Sequence, residues 1–411
     1  MNARGIVMNA YRSAAAVIGL AAIVSGEGFA QSPAAGPTGL LLGKFASGSA
    51  WERGLSIPTL YKNSENPWLQ EIAVVGQLQT QYAYGSDASG SYGSQDFPDS
   101  GTWGNIEVRR FRLGLKGRIF EKVTFLNLTD INPDFSPRIY KRTPETYFTY
   151  THNDAFNLSL GKTELKFDRE QEYSSRDFLP FERSALGNMF YGGELTGVWA
   201  SGKGIAGGWL YHLGIYSNDR RDEWTQFEGG TMILAKIGYN YTAMTPWDLA
   251  EWKFQFLRDT DPGFVAGPGG VPAPLYETCI SISNQITEGP FGLTVEFLWG
   301  DGVKGRADVC GLSLMPTWSF SEKLQLVSTL EIAGSADDNG VILPIRYEGL
   351  SPGVGDKSGD AYFAGYAGLN YYIHGHNLKL MSGVKYSYLE GGPGGGDFNG
   401  WTWLAGVRMA F

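Results

Sequence analysis

The stretch Ile106-Glu107-Val108-Arg109-Arg110-Phe111-Arg112-Leu113-Gly114-Leu115-Lys116-Gly117-Arg118-Ile119-Phe120 decides how the chain is read. A strand sends successive side chains to opposite faces. Arg110, Arg112, Lys116 and Arg118 therefore share one face, and Phe111, Leu113, Leu115 and Ile119 share the other. A row of cations backed by apolar side chains is the pattern of a wall between water and lipid. Arg109 shares the parity of Phe111, which predicts that it reaches the headgroups at the outer rim.

The same alternation recurs along most of the chain. In Glu71–Tyr84, Leu78, Thr80, Tyr82 and Tyr84 oppose Gln77, Gln79 and Gln81. In Asn377–Leu389, Leu378, Leu380, Val384, Tyr386 and Tyr388 oppose Lys379 and Lys385. The last run, Trp401–Phe411, puts Trp401, Trp403, Val407, Met409 and Phe411 on one face. Its final residue is an aromatic at a strand end, where an interfacial girdle would sit.

Alternation and turn signals together give sixteen strands, the others being approximately 122–129, 145–152, 155–161, 194–201, 207–216, 231–241, 249–258, 276–285, 290–300, 308–317, 322–333 and 361–372. Their connections alternate in length. Even-numbered strands are followed by brief links such as Glu121, Asn153-Asp154 and Ile373–His376. Odd-numbered ones lead into long stretches such as Gly85–Asn105, Lys162–Gly193, Asp259–Leu275 and Gly334–Asp360. Short turns at one end and long loops at the other imply an all-β fold, a transmembrane antiparallel barrel of about sixteen strands over residues 71–411. A soluble sandwich would have to bury one face of each strand against a second sheet, yet the polar faces carry Gln, Lys, Arg and Glu repeatedly.

Residues 1–30 read as a cleaved signal peptide: Arg4 and Arg12, an apolar run Ala14–Val24, and Gly28-Phe29-Ala30 before the cut. Removing them takes away Arg4, Arg12 and Glu27, so the formal net charge moves from -9 to -10. An acidic exported chain disfavours nucleic acid as a partner and makes the basic row a local exception. Residues 31–70 form a separate extension, periplasmic or plug-like, with Trp51, Tyr61 and Trp68 as packing points. No later apolar run reaches the roughly 18 residues of a membrane helix. Fifty-seven glycines and 57 aromatic residues suit many strands and turns. Cys279 shares parity with Ser281 and Ser283, and Cys310 with Leu312 and Leu314, so a disulfide between them is not expected.

Catalytic and metal chemistry find little support in the sequence. The four histidines cannot be paired with Ser or Asp, and His374-Gly375-His376 lacks further ligands at a telling spacing. The glycine cluster Gly391-Gly392-Pro393-Gly394 falls between two strands, not before a helix. No enzyme activity and no cofactor are expected.

The run Arg109–Gly117 resembles the phosphate-selective porin O and P family, whose members carry a closely similar Arg-Arg-x-Arg-Leu-Gly-x-Lys-Gly strand. Gly161-Lys162, Ser174-Ser175-Arg176-Asp177 and Phe181-Glu182-Arg183-Ser184 extend the likeness. The resemblance implies a trimeric channel of the bacterial outer membrane, with sixteen strands per subunit, lipid around it and a lumen lined by Arg and Lys. Carried over, it supports Arg110, Arg112 and Lys116 as lumen cations. One position departs from the family pattern: Lys166 precedes Phe167 where relatives usually carry proline.

A barrel of this size leaves an aqueous channel, so function depends on what narrows it. Lys162–Gly193, after the fifth strand, is long for a surface loop and rich in charge. It is expected to fold inward, with Lys166, Arg169, Arg176 and Arg183 as constriction residues nearly balanced by acids. Arg110, Arg112, Lys116 and Arg118, facing the gap, would then favour small anionic solutes such as phosphate. The competing reading of that row is a hydrated wall balanced by Glu251, Glu296 or Glu331. The competing function is a barrel-anchored adhesin or scaffold with no transport role.

Overall fold

The computed structural model describes residues 59–87, 102–133, 138–265, 273–344, 346–348, 358–391 and 397–411. The expected signal peptide and residues 31–58, with Trp51, lie outside the described residues, as do Gly392, Pro393 and Gly394.

Sixteen antiparallel strands form a closed ring: β1 Leu69–Asp87, β2 Thr102–Ile119, β3 Val123–Ile131, β4 Tyr140–Asn153, β5 Phe156–Glu164, β6 Glu194–Ile205, β7 Trp209–Ser217, β8 Thr231–Asn240, β9 Leu249–Asp259, β10 Tyr276–Glu288, β11 Phe291–Gly302, β12 Val309–Ser319, β13 Leu324–Ser335, β14 Ser358–His374, β15 Leu378–Gly391 and β16 Phe398–Ala410. Each pairs with its sequence neighbours, and β16 returns to pair with β1 from Gly400↔Asp87 to Ala410↔Gln77. Two short strands are added: Thr59–Lys62 lies along the start of β1, and Val341–Ile342 along β14. All sixteen expected strands are present. Links after even-numbered strands run from two residues (154–155) to eight (241–248), whereas β5 and β6 are separated by residues 165–193.

The outer face is apolar. Leu113, Leu115, Leu160, Val198, Ile215, Ile237, Ile282, Leu330 and Leu369 are all exposed, as lipid contact requires. Aromatics gather near both ends. Trp68 meets Phe120 edge-on beside a short turn, both exposed. Tyr84, Trp401 and Trp403 sit toward the long loops, where Tyr82 meets Trp403 at 5.6 Å.

Ring closure depends on one close approach. The Gly76 amide donates to the Phe411 carbonyl (2.9 Å) and the Phe411 amide to the Gly76 carbonyl (3.0 Å). A Cβ on Gly76 would fall 2.2 Å from the Phe411 ring. Gly76→Val is expected to displace that ring and weaken the seam by about 1–3 kcal/mol. The urea midpoint of the detergent-solubilised barrel should fall; an unchanged midpoint would show that the terminal aromatic is dispensable to closure.

Cys279 is buried facing inward and Cys310 is partly exposed; they form no disulfide.

Candidate functional site: the constriction inside the barrel

Residues 165–193 fold into the lumen. Leu165, Phe167, Ala185, Leu186 and Phe190 are almost wholly inaccessible and pack on inward-facing Leu195, Leu234, Leu298 and Val309. Two short helical turns shape the segment, Arg169–Glu172 (α1) and Ala185–Met189 (α2). Asp168 takes a positive φ of 63° and caps α1, its carboxylate accepting from the Gln171 amide at 2.8 Å. Gln171 also donates to the Gly187 carbonyl, while Ser184 donates to Glu170 through both amide and hydroxyl, so the two turns are clipped together. Lys166, where relatives usually carry proline, does not divert this path. Its carbonyl accepts from Lys236, its ammonium lies 3.7 Å from Glu164, and Phe167 beside it is fully buried.

Polar contacts fix the segment to much of the wall. Gln79 of β1, Asn370 of β14, Lys379 of β15 and Arg408 of β16 donate to the carbonyls of Ser175 (3.0 Å), Leu179 (2.8 Å), Phe178 (2.5 Å) and Phe181 respectively. Three of these donors stand level in the sheet, because Lys379 pairs with Arg408 and Arg408 with Gln79; Arg110 of β2 continues the row. Gln79 Oε1 accepts from both Arg110 (2.8 Å) and Arg408 (2.6 Å). Lys379 and Arg408, together with neutral Gln79 and Asn370, thus form a dock for a loop backbone.

Across the lumen the polarity is reversed. Glu296 of β11 accepts from the Arg169 amide (2.8 Å) and Glu331 of β13 from the Ala185 amide (2.6 Å). Glu172 on α1 gathers Lys236 (3.0 Å), Lys253 (2.7 Å) and Arg169 (3.1 Å), and Arg169 also reaches Glu251 at 2.9 Å. Burial by itself would raise the Glu172 carboxyl, but Lys236, Lys253 and Arg169 override it and hold the group well below the usual carboxylate range. At Asp168 burial prevails, assisted by Glu296 and Glu170, and its carboxyl rises well above that range.

Where the expected residues fall requires corrections. Arg109 does not reach the headgroups. A bulge between Gln79 and Thr80 takes it out of the pairing register, which turns Arg109 inward together with Arg110, and its Nε donates to Glu182 at 3.1 Å. Glu251, Glu296 and Glu331 do not balance the β2 row; they hold the loop. Arg112 is balanced instead by Asp130 of β3 (2.6 Å), which also binds Arg142 of β4 (2.7 Å). Lys116 is half-buried, with Arg176 and Glu71 as electrostatic neighbours, and Arg118 is exposed near the short-turn end. Arg176 pairs with Asp177 at 2.9 Å. Arg183 pairs with Glu164 at 2.5 Å and stacks on Phe178 and Tyr191.

A second inserted loop was not read from the sequence. Part of the β13–β14 connection turns inward. Tyr347 reaches Gln81 and Glu107, and Glu348 accepts from Ser387 (3.0 Å) and lies 2.9 Å from Lys385. The signal available was Val341-Ile342-Leu343, an apolar run inside a supposed surface loop.

The two insertions leave the wall uneven. Inward side chains of β8–β16, including Gln255, Ser281, Asn370 and Lys379, are covered almost completely. Those of β2–β4, including Arg112, Lys116, Arg142, Glu145 and Thr149, stay partly open. On the long-loop side lies a cavity of about 430 Å³ bounded by both insertions.

A closed sixteen-strand barrel with apolar exterior and internally folded loop is the architecture of an outer-membrane barrel. The family profile of phosphate-selective porin O and P matches residues 82–234, which bears out the likeness read from Arg109–Ser184. Among solved structures, OprB of Pseudomonas putida is similar at TM-score 0.56 and 11% identity, covering 82% of this chain and 94% of its own. OmpT of Vibrio cholerae, an outer membrane protein, gives TM-score 0.54 at 11% identity over 86% and 100%. The outer membrane channel DcaP of Acinetobacter baumannii gives 0.51 at 12% over 85% and 99%. No curated protein matches the chain. At such identities the structural likeness is one of fold.

Proposed function

We propose that the chain is an outer-membrane porin through which small hydrophilic solutes diffuse passively, with a preference for anions. The internally folded 165–193 segment supports this reading, because inward side chains of β2–β4 beside it, Arg112, Lys116 and Arg142 among them, keep partial exposure. On β2–β4, Arg112, Lys116, Arg118 and Arg142 share the inward face with Glu107, Asp130 and Glu145; Arg112 is paired with Asp130, Arg142 with Asp130 and Glu194, and Glu107 with Arg346. Lys116 and Arg118 are in no ion pair among the described residues, so their charge acts on whatever passes. Several weak cations let an anion enter and leave, whereas one tight site would trap it.

In a planar bilayer under a salt gradient, the purified chain is expected to give steady ohmic steps and a reversal potential of anion-preferring sign. Lys116→Gln with Arg118→Gln should move that potential toward cations while Arg112→Gln, which breaks a pair with Asp130, also disturbs the wall. An electrically silent barrel would support the anchored adhesin instead. An unmoved potential in the double variant would remove those two residues from the selectivity assignment.

A homotrimer is part of the same proposal. Asn127 and Thr146 face outward on β3 and β4 and hydrogen-bond to each other at 2.6 Å. A polar pair on a lipid-facing surface is costly unless protein covers it. The native mass in detergent is expected to be three times that of the chain, and a monomeric mass would contradict it.

A further inference from the structure

Resting on the porin reading, we infer that the cavity between the two inserted loops selects small organic anions with an apolar ring, of the aromatic carboxylate class, over compact hydrated anions. The cavity has the size of sites that hold small organic molecules. Arg109, Arg183, Arg220 and Arg346 line it; Arg109, Arg183 and Arg346 each contact one carboxylate, Glu182, Glu164 and Glu107, and a guanidinium has five N–H donors, so one such contact leaves donors for a two-oxygen carboxylate.

The rest of the lining gives the body of the solute its character. Met189, Ile342, Leu343 and Leu404 share the cavity with Tyr191 and Tyr347. An apolar wall cannot replace the hydration shell of phosphate, so it adds nothing for that ion, whereas a ring leaving water for it gains free energy in proportion to area. The acids of the lining are already engaged. Glu182 takes Arg109 and Gln81, and Glu331 and Glu348 accept from the Ala185 amide and Ser387 and flank Lys385. They therefore repel an entering carboxylate less than bare carboxylates would.

Arg109 of β2 lines the cavity and pairs with Glu182 of the inserted 165–193 segment.

The test titrates benzoate, acetate and inorganic phosphate against the potassium chloride current of the full chain in a planar bilayer, beside calorimetric titration of the detergent-solubilised protein. Benzoate is expected to act at a concentration about tenfold lower than acetate or phosphate, the ratio given by one buried ring edge. Arg220→Gln should weaken benzoate and acetate alike, and Ile342→Thr should weaken benzoate alone. Equal potency of benzoate and acetate, or stronger action by phosphate, overturns the inference while steady conductance leaves the porin standing. If no current flows, the porin reading falls and the calorimetric ratio still decides the ligand class. Should a variant fail to fold, the three-anion comparison on the unaltered chain suffices.

Discussion

Replacing Lys379 and Arg408 together by alanine is expected to release residues 175–181 from the wall and raise single-channel conductance. The two side chains donate to the Phe178 and Phe181 carbonyls from positions with almost no solvent exposure. A buried carbonyl that loses a charged donor and finds no water costs roughly 1–3 kcal/mol, so the pair together shifts the docked state by about 2–6 kcal/mol. Each 1.4 kcal/mol multiplies the undocked population about tenfold. Arg110 would be drawn into the space beside Gln79, which loses one of its two guanidinium partners. Conductance records of the double variant should show larger or fluctuating steps. Steps identical to those of the unaltered protein would mean that the hydrophobic contacts of Phe167 and Phe190 hold the loop without Lys379 and Arg408.

The other large effect is expected at Glu172. Glu172→Gln leaves Lys236, Lys253 and Arg169 converging on a neutral amide, and breaking a buried charge cluster from one side costs about 3–5 kcal/mol. Its pH dependence has a definite sign. The folded carboxyl titrates below its unfolded value of about 4.3, so the unfolded state binds the proton more readily. The contribution is therefore complete above that value and declines as the pH falls from there toward the folded pKa. Unfolding midpoints in urea should drop for the variant at pH 7, and the gap between the two proteins should narrow below about pH 4. A gap that is constant with pH would show that packing, and not charge, is what Glu172 supplies.

These outcomes depend on features that differ in how they could be read. Period-two alternation forces one face of Ile106–Phe120 into lipid and the other into water, and repetition of that pattern left a sixteen-strand cylinder as the arrangement that hides every backbone edge. The unusual length and charge of Lys162–Gly193 marked it as the segment that folds inward. Parity alone failed at Arg109, because a single bulge between Gln79 and Thr80 reverses the face and nothing local announces it. The partners of Arg112 and Glu172 lie on other strands or far along the chain, so which acid neutralises which cation was outside the reach of any local pattern.

The amino-acid order by itself determined the barrel, its strand number and the sidedness of its loops, since all three follow from short-range alternation and turn spacing, and the length and charge of Lys162–Gly193 pointed to it as the segment that folds inward. Only the tertiary structure decided that Gln79, Lys379 and Arg408 grip a loop backbone, that part of the β13–β14 connection turns inward, and that the inward side chains of β2–β4 stay less covered than those of β8–β16. Those outcomes depend on side chains hundreds of residues apart meeting at one height of the cylinder, and that meeting is set by the stagger of the closed sheet.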